Sequence, residues 1–209
     1  WVAVHINYMN RDTCIEEENF IKEWCNILGV KLYIRRINEI HRKKCMENEL
    51  RDLYESYTRD VRYNTYKYVH EYYSNSKESI PNVLLGHNED DCIENIITNI
   101  AQQRKYRYLS GMITESVQDS IRFIRPMLTI PKSDIYIFAN KYNIKHLPDS
   151  TPAWSQRGQI RTVVRPTLEK WDKRSIQGIL QLHTYMSDLH KCMDILIHEL
   201  VESTQIINT

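Results

Sequence analysis

Val83-Leu84-Leu85-Gly86-His87-Asn88-Glu89-Asp90-Asp91-Cys92-Ile93-Glu94-Asn95 sets a short apolar run before a Gly-His step and an acid-rich segment. An apolar run that ends in Gly-His and passes into a helical pattern reads as a strand handing over to a helix. Open α/β sheets collect their ligands at such points. Ile93, Ile96, Ile97 and Ile100 recur at three- and four-residue spacing, which predicts one stripe packed on a sheet. Asp91 and Glu94 are three apart, on one face away from that stripe. Two carboxylates so placed can grip an ammonium group, or one of them can hold a magnesium ion. Acids near a helix N-terminus also complement the dipole, by about 0.3–1 kcal/mol each, and for Glu89 and Asp90 that reading weighs equally.

Outward from this segment the elements alternate. Residues 2–6 read as a strand. Thr13-x-x-Glu16 reads as a capping box opening a helix through residue 28, with Gly29 as its stop. Residues 31–37 form a second strand, and 46–73 a long, charged, Tyr-rich helical stretch with an interruption. The Val83 strand and a helix over 89–103 follow, then a strand over 121–124 and a helix after Pro131. Strands alternating with helices predict a parallel sheet covered on both faces. The stretch 74–79 is the clearest loop. After Pro166, Ile176, Ile179, Leu180, His183, Met186, Leu189, Met193 and Leu196 form a helical stripe, in which His183 and the methionines read as packing residues.

At 209 residues the chain suits one domain with a small appendage, and 42% hydrophobic residues supply a core. A formal net charge of +1 does not mark a nucleic-acid binder, so an RNA partner must meet local patches. Arg104-Lys105-Tyr106-Arg107-Tyr108 fits best, because bases stack on interleaved rings. Cys14, Cys25, Cys45, Cys92 and Cys192 are odd in number and contain no C-x-x-C pair, which argues against a disulfide framework and against a zinc or iron–sulfur site. They point to a reducing, intracellular setting. No apolar run approaches membrane-spanning length. Many Ile, Asn, Lys and Tyr with few Gly suggest an AT-rich genome, such as that of a symbiont, organelle or virus.

Gly86-His87-x-x-Asp90-Asp91-x-x-Glu94 resembles the second signature of the tRNA(Ile)-lysidine synthetases, a family within the PP-loop ATPase superfamily. Other segments resemble that family in its own order. Val4-His5-Ile6-Asn7-Tyr8-Met9-Asn10-Arg11 is similar to its Val-His-Val-Asp-His-Gly-Leu-Arg strand exit. Thr58-Arg59-Asp60-Val61-Arg62-Tyr63 is similar to Ala-Arg-x-x-Arg-Tyr. Ser110-Gly111-Met112 with Arg125-Pro126-Met127-Leu128 resembles the Gly-Met and Arg-Pro-Leu-Leu elements. Asp149-Ser150-Thr151 with Arg157-Gly158-Gln159-Ile160-Arg161 resembles Asp-x-(Thr/Ser)-Asn…Arg-Asn-x-Ile-Arg. The likeness spans roughly residues 1–170. Asn7, Tyr8, Gly158 and Gln159 depart from the pattern, and Gln102-Gln103-Arg104-Lys105-Tyr106 replaces a Gly-rich run. The Ser-Gly-Gly-x-Asp-Ser phosphate loop is absent, and five scattered glycines make no phosphate cradle. The opening at Trp1, directly in a strand, reads as the loss of an N-terminal segment.

The resemblance implies an α/β, parallel-sheet Rossmann-like core of the adenine nucleotide alpha hydrolase type over residues 1–165, lacking its first strand and loop. A helical extension covers 166–209. It implies an ATP-dependent ligase that adenylates the wobble cytidine of tRNA(Ile) with a CAU anticodon and attaches free lysine to form lysidine. Asp91 and Glu94 would hold the lysine, or Asp91 a Mg2+ ion, and Arg62 would neutralise charge on the adenylate or pyrophosphate. His5, Arg11, Gly86 and His87 would serve ATP. Arg157 and Arg161 would face the active site or the tRNA backbone, and Arg104 and Arg107 the tRNA. A homodimer in the cytoplasm, or encoded by an organelle or virus, and no membrane contact complete the expectation. A tRNA thiolation enzyme of the same superfamily and a non-catalytic tRNA-binding relative are the alternatives. The absent cysteine pairs weigh against the first, and the retained His87, Asp91, Glu94, Arg157 and Arg161 against the second.

Overall fold

The computed structural model describes residues 1–73, 80–105, 108–149 and 151–207. The loop expected over 74–79 and Arg107 lie outside the described residues. The fold is α/β, with a parallel strand pair and a helical C-terminal region. Its contacts divide the chain into two compact units, residues 1–83 with 116–124, and residues 84–115 with 125–209.

In the first unit, β1 (Val2–Asn7) pairs in parallel with β2 (Lys31–Arg36), Asn7 opposite Arg36. The connecting helix α1 (Cys14–Ile27) ends where Gly29 adopts φ +63°. The Val30 N–H reaches the Cys25 carbonyl at 2.9 Å and the Gly29 N–H reaches Asn26 at 3.2 Å, a Schellman closure. The capping box expected at its start does not form. Thr13 is helical at φ −79°, and its hydroxyl donates to Glu17 Oε1 at 3.0 Å rather than accepting a backbone N–H. The interrupted helical stretch resolves into α2 (Arg42–Glu47) and α3 (Arg51–Tyr73), separated at Glu49, whose φ is +57°.

β3 (Asn82–Leu84), β4 (Glu115–Gln118) and β5 (Ile121–Ile124) form a second sheet in the order β3-β5-β4. β4 was not expected from the pattern. Asp119 and Ser120 join it to β5 at φ +50° and +60°, a type I′ hairpin built without glycine. A two-residue connection makes β4 and β5 antiparallel, so an antiparallel hairpin accompanies the expected parallel pairing of β1 and β2. Phe123 of β5 is buried against Tyr63 and Tyr66 of α3, with ring centroids 5.4 and 6.1 Å away.

Met9 stands where the strand-exit motif carries Gly, and its φ is +49°. The backbone thus takes a left-handed step, open to glycine without cost, on a residue whose side chain strains it. Asn7 shapes the same exit: its side-chain oxygen accepts the Met9 N–H at 3.0 Å, and its amide donates to Glu18 and to the Cys14 carbonyl.

The second unit contains α4 (Glu89–Ala101), α5 (Lys132–Lys141), α6 (Gln156–Gln159), α7 (Arg165–Trp171) and α8 (Ser175–Ile207). Ile93 and Ile96 of α4 are buried, but the stripe ends early, since Ile100 is exposed. Cys92 and Ile96 pack with Leu128, Met112 and Ile179 of α8, so a helix supplies part of the cover expected from a sheet. Gly111, at φ +62°, lies so close to Ile96 that a Cβ would sit 2.9 Å from its Cγ1.

Candidate functional site

Asn88 lies just before α4 in an extended conformation, and a capping box forms with Asp91. The Asn88 side chain accepts the Asp91 N–H at 3.2 Å, and Asp91 Oδ2 accepts the Asn88 N–H at 3.1 Å. One oxygen of Asp91 is thus committed to the helix end. The acid face lies apart from the isoleucine stripe, yet it is enclosed: Asp91 and Glu94 are only 9% and 4% exposed.

Arginines enclose it. α6, a π-helical turn over Ile160–Val164 and α7 follow one another without a break and present Arg157, Arg161 and Arg165 at four-residue intervals. Pro166 has no N–H to give and would clash with the carbonyl four residues back. The widened turn ahead of it avoids that contact, and the Arg165 N–H reaches five residues back to Ile160. Arg161 pairs through Nε with Glu94 Oε1, and its Nη2 lies 3.3 Å from Glu94 Oε2 and 3.6 Å from Asp91 Oδ1. Its Nη1 donates to Asp149 and, at 3.1 Å, to the Thr151 hydroxyl. Arg157 Nε stands 3.7 Å from Glu94 Oε2. Arg165 pairs with Asp90, whose other oxygen accepts the Lys132 N–H at 2.7 Å in the first turn of α5. Asp90 therefore ties three helices together rather than serving only its own dipole.

Burial pushes the Asp149 carboxyl up, but Lys132 Nζ at 2.8 Å, Thr151 and Arg161 outweigh it and hold the group well below the usual carboxylate range. For Asp90, burial is likewise outweighed, by the Lys132 N–H and Arg165, and the net shift is downward. Burial and neighbouring Asp90 raise Glu89. Glu89 lines a cleft of about 230 Å³ with Cys92, Thr114, Leu128, Gln181 and His183.

The structure brings four of the expected residues together, namely Asp91, Glu94, Arg157 and Arg161. Asp149, Lys132, Asp90 and Arg165 join them. The Arg-x-x-x-Arg-x-x-x-Arg spacing was a readable signal for Arg165, whereas nothing local marks Lys132 as a partner of Asp149. Gly86 is exposed at the end of β3 and His87 half-buried after it. A Cβ at Gly86 would meet only Met127 Cε at 3.6 Å, an ordinary contact, so the fold does not require glycine there. Arg104 is exposed and donates to Gln102 at 3.2 Å.

His5, Arg11 and Arg62 belong to the first unit. Burial lowers the pKa of His5 against the opposing pull of Glu18 and Glu17, and its Nε2 is buried without a hydrogen-bond partner among the described residues. Arg11 stands 3.7 Å from Glu17, and Arg62 donates to the Tyr8 hydroxyl at 3.4 Å.

Among the described residues no group of three or more His, Cys, Asp or Glu side chains is arranged to hold a metal ion. With its Oδ2 capping α4 and its Oδ1 facing a guanidinium, Asp91 as placed does not fit a Mg2+ ion. No helix among the described residues is long and apolar enough to cross a membrane.

A family model described as the PP-loop domain matches residues 1–170. The tRNA(Ile)-lysidine synthase of Malacoplasma penetrans is 23% identical over 175 residues, which cover 83% of this chain and 55% of that protein. The enzyme of that name from Mesoplasma florum is 30% identical over 72% of this chain and 35% of its own length. That from Streptococcus gordonii is 27% identical over 95% and 42%. The chain thus spans between about a third and just over half of these relatives. Among solved structures, the U34-tRNA thiolase NcsA from Methanococcus maripaludis, with its 4Fe-4S cluster, is similar in fold. The TM-score is 0.58 at 17% identity, covering 88% of this chain and 60% of that one. This likeness is one of fold, and with the PP-loop match it agrees with the α/β, Rossmann-like core expected.

Proposed function

The chain belongs to the PP-loop domain family, and from that premise we propose that it is part of an ATP-using, tRNA-modifying ligase that makes lysidine. The C2 oxygen of the wobble cytidine of tRNA(Ile) attacks the α-phosphorus of ATP and releases pyrophosphate. An amine of free lysine then adds to C2, loses its proton, and AMP departs with the former C2 oxygen. A diamino acid brings a second ammonium that needs an anionic partner, and the buried pair Asp91 and Glu94 is suited to it. That pair, with Arg157 and Arg161 converging on Glu94, is the observation that carries the reading.

The remaining roles rest on the resemblance. Gly86 and His87, with His5 and Arg11 of the first unit, would serve the nucleotide, and Arg62 the charge on the adenylate or pyrophosphate. Arg104 and Arg107 would meet tRNA phosphates, for which the guanidinium fork is suited. Mg2+ would enter as the companion of the ATP phosphates, since it usually takes few protein carboxylates. A tRNA substrate is consistent with a cytoplasmic setting.

Thiolation is the second reading, favoured by the fold likeness to a U34-tRNA thiolase. Against it, the sequence contains no C-x-x-C pair, and an acid pair has no evident use in sulfur transfer. The deciding experiment is ATP-dependent incorporation of labelled lysine into tRNA(Ile) with a CAU anticodon by the full-length protein. The expected result is labelling that falls at least a hundredfold in Asp91→Asn, on the order of a lost charge-assisted contact in the transition state. Labelling unchanged in Asp91→Asn removes the amine-site assignment, and no labelling at all removes the ligase.

A further inference from the structure

Every nitrogen of the Arg161 guanidinium has an acceptor beside it. Its Nε and Nη2 face Glu94, Nη2 also faces Asp91, and Nη1 serves Asp149 and Thr151. Four of its five donor hydrogens are in hydrogen bonds, and the approach of Nη2 to Asp91 Oδ1, at 3.6 Å, is an ion pair. The side chain is only 24% exposed and sits on carboxylates that are themselves almost wholly buried. Arg161 therefore lies where an incoming ammonium would have to lie. This inference rests on the reading of Asp91 and Glu94 as the amine site.

A free amino acid carries a carboxylate as well as ammonium groups. Arg157 and Arg161 already share Glu94, so an ammonium entering beside Arg161 would be a third cation on one carboxylate, at a cost that rises steeply away from water. If Arg161 simply left, its own charge would lose its partners. An exchange avoids both. We infer that Arg161 is the built-in occupant of the amine site, and that lysine enters by pair exchange. Its α-ammonium takes the Glu94 and Asp91 oxygens while the displaced Arg161 guanidinium takes its α-carboxylate. The number of ion pairs is conserved, and the ε-amine is left unpaired as the nucleophile.

Two features of the chain suit Arg161 to that movement. It stands in the π-helical turn ahead of Pro166, where the helix already departs from its regular hydrogen bonding. Arg157, 55% exposed and 3.7 Å from Glu94, keeps a cation beside that carboxylate when Arg161 turns away. Arg161 is thus a specificity-determining residue that distinguishes an amino acid from a simple diamine.

Calorimetric binding of L-lysine and of 1,5-diaminopentane, which lacks the carboxylate, to the full-length protein tests this. The wild type should favour lysine at least tenfold. Arg161→Gln should bind the diamine at least tenfold more tightly than the wild type does, and lose most of the preference for lysine. Arg161→Lys, which retains a cation but cannot span Glu94 and Asp149, should fall between them and decides the matter if Arg161→Gln does not fold. Unchanged affinities in these variants, or equal loss of both ligands, overturn the exchange. If lysine binding is abolished by Asp91→Asn yet indifferent to Arg161, only the exchange falls. If lysine binds no form, or binds Asp91→Asn and Glu94→Gln as it binds the wild type, the amine-site reading falls with it.

Discussion

Asn7 donates its side-chain amide to the Glu18 carboxylate at 2.9 Å, and both residues are almost completely buried. Glu18 also accepts from Arg36 at 2.6 and 2.8 Å and from Lys22 at 2.6 Å. An aspartate in place of Asn7, as the related motif has it, would bring a second carboxylate against the first. The departure at this position is thus tied to the glutamate eleven residues on. Asn7→Asp should destabilise the protein by about 2–3 kcal/mol at pH 7, through a lost charge-assisted hydrogen bond and like-charge repulsion. Urea unfolding measures it, and Asn7→Asp with Glu18→Gln should recover most of the loss.

Glu18 also makes stability depend on pH. Hydrogen bonds from Arg36 first, then Lys22, hold its carboxyl well below the ordinary glutamate value in spite of burial. A depressed folded pKa adds stability that is present above the unfolded value, roughly 4.3, and is lost as pH falls below it. Denaturation midpoints should therefore drop between pH 6 and pH 3, and Glu18→Gln should flatten that drop while lowering stability at pH 6. An equally steep drop in Glu18→Gln would assign the acid sensitivity elsewhere, with Asp149 the next candidate.

Gly158 stands where the related motif carries Asn, and here a Cβ would overlap the Pro152 carbonyl and lie 2.8 Å from Ala153 Cα. Both obstacles are backbone, so Gly158→Ala should cost about 1–3 kcal/mol, in the range of overpacking. Gly178, inside α8, has nothing within 4 Å of its missing Cβ. Gly178→Ala should stabilise by about 0.5–1 kcal/mol. Thermal unfolding of the two variants should shift in opposite directions.

Met9→Gly should relieve the left-handed strain at φ +49°. Against the greater freedom of glycine in the unfolded chain, a net gain of about 0.5–1 kcal/mol is expected. A loss instead would mean that the Met9 side chain, 37% exposed, supplies packing worth more than the strain.

Local chemistry was readable where it was self-contained. Gly29 closes α1, Pro131 precedes α5, and the β5 run falls where its apolar residues place it. Thr13 does not cap because Glu17, one turn on, captures its hydroxyl, while Asn88-x-x-Asp91 spells a capping box in the same residues that spell an acid cluster. β4 is not legible in the sequence because Asp119 and Ser120 make a turn usually marked by Asn-Gly. At the candidate site, the motifs name Asp90, Asp91, Glu94, Asp149, Arg157 and Arg161 but not which of them meet, nor Lys132 and Arg165 beside them. Asp149 reaches Arg161 from an irregular segment, and no periodicity encodes such a meeting.

The chain passes between its two units at 83/84, 115/116 and 124/125. A ribosome delivering it in order must emit residues 84–115 before the β4–β5 hairpin that belongs to the first unit. No single cut yields either unit alone: stopping at Val83 discards the hairpin, and starting at Leu84 carries it along without its neighbours. The two units are therefore interleaved in synthesis: the first is complete once Ile124 has been made, with residues 84–115 of the second already in the chain, and the second must wait for everything after it.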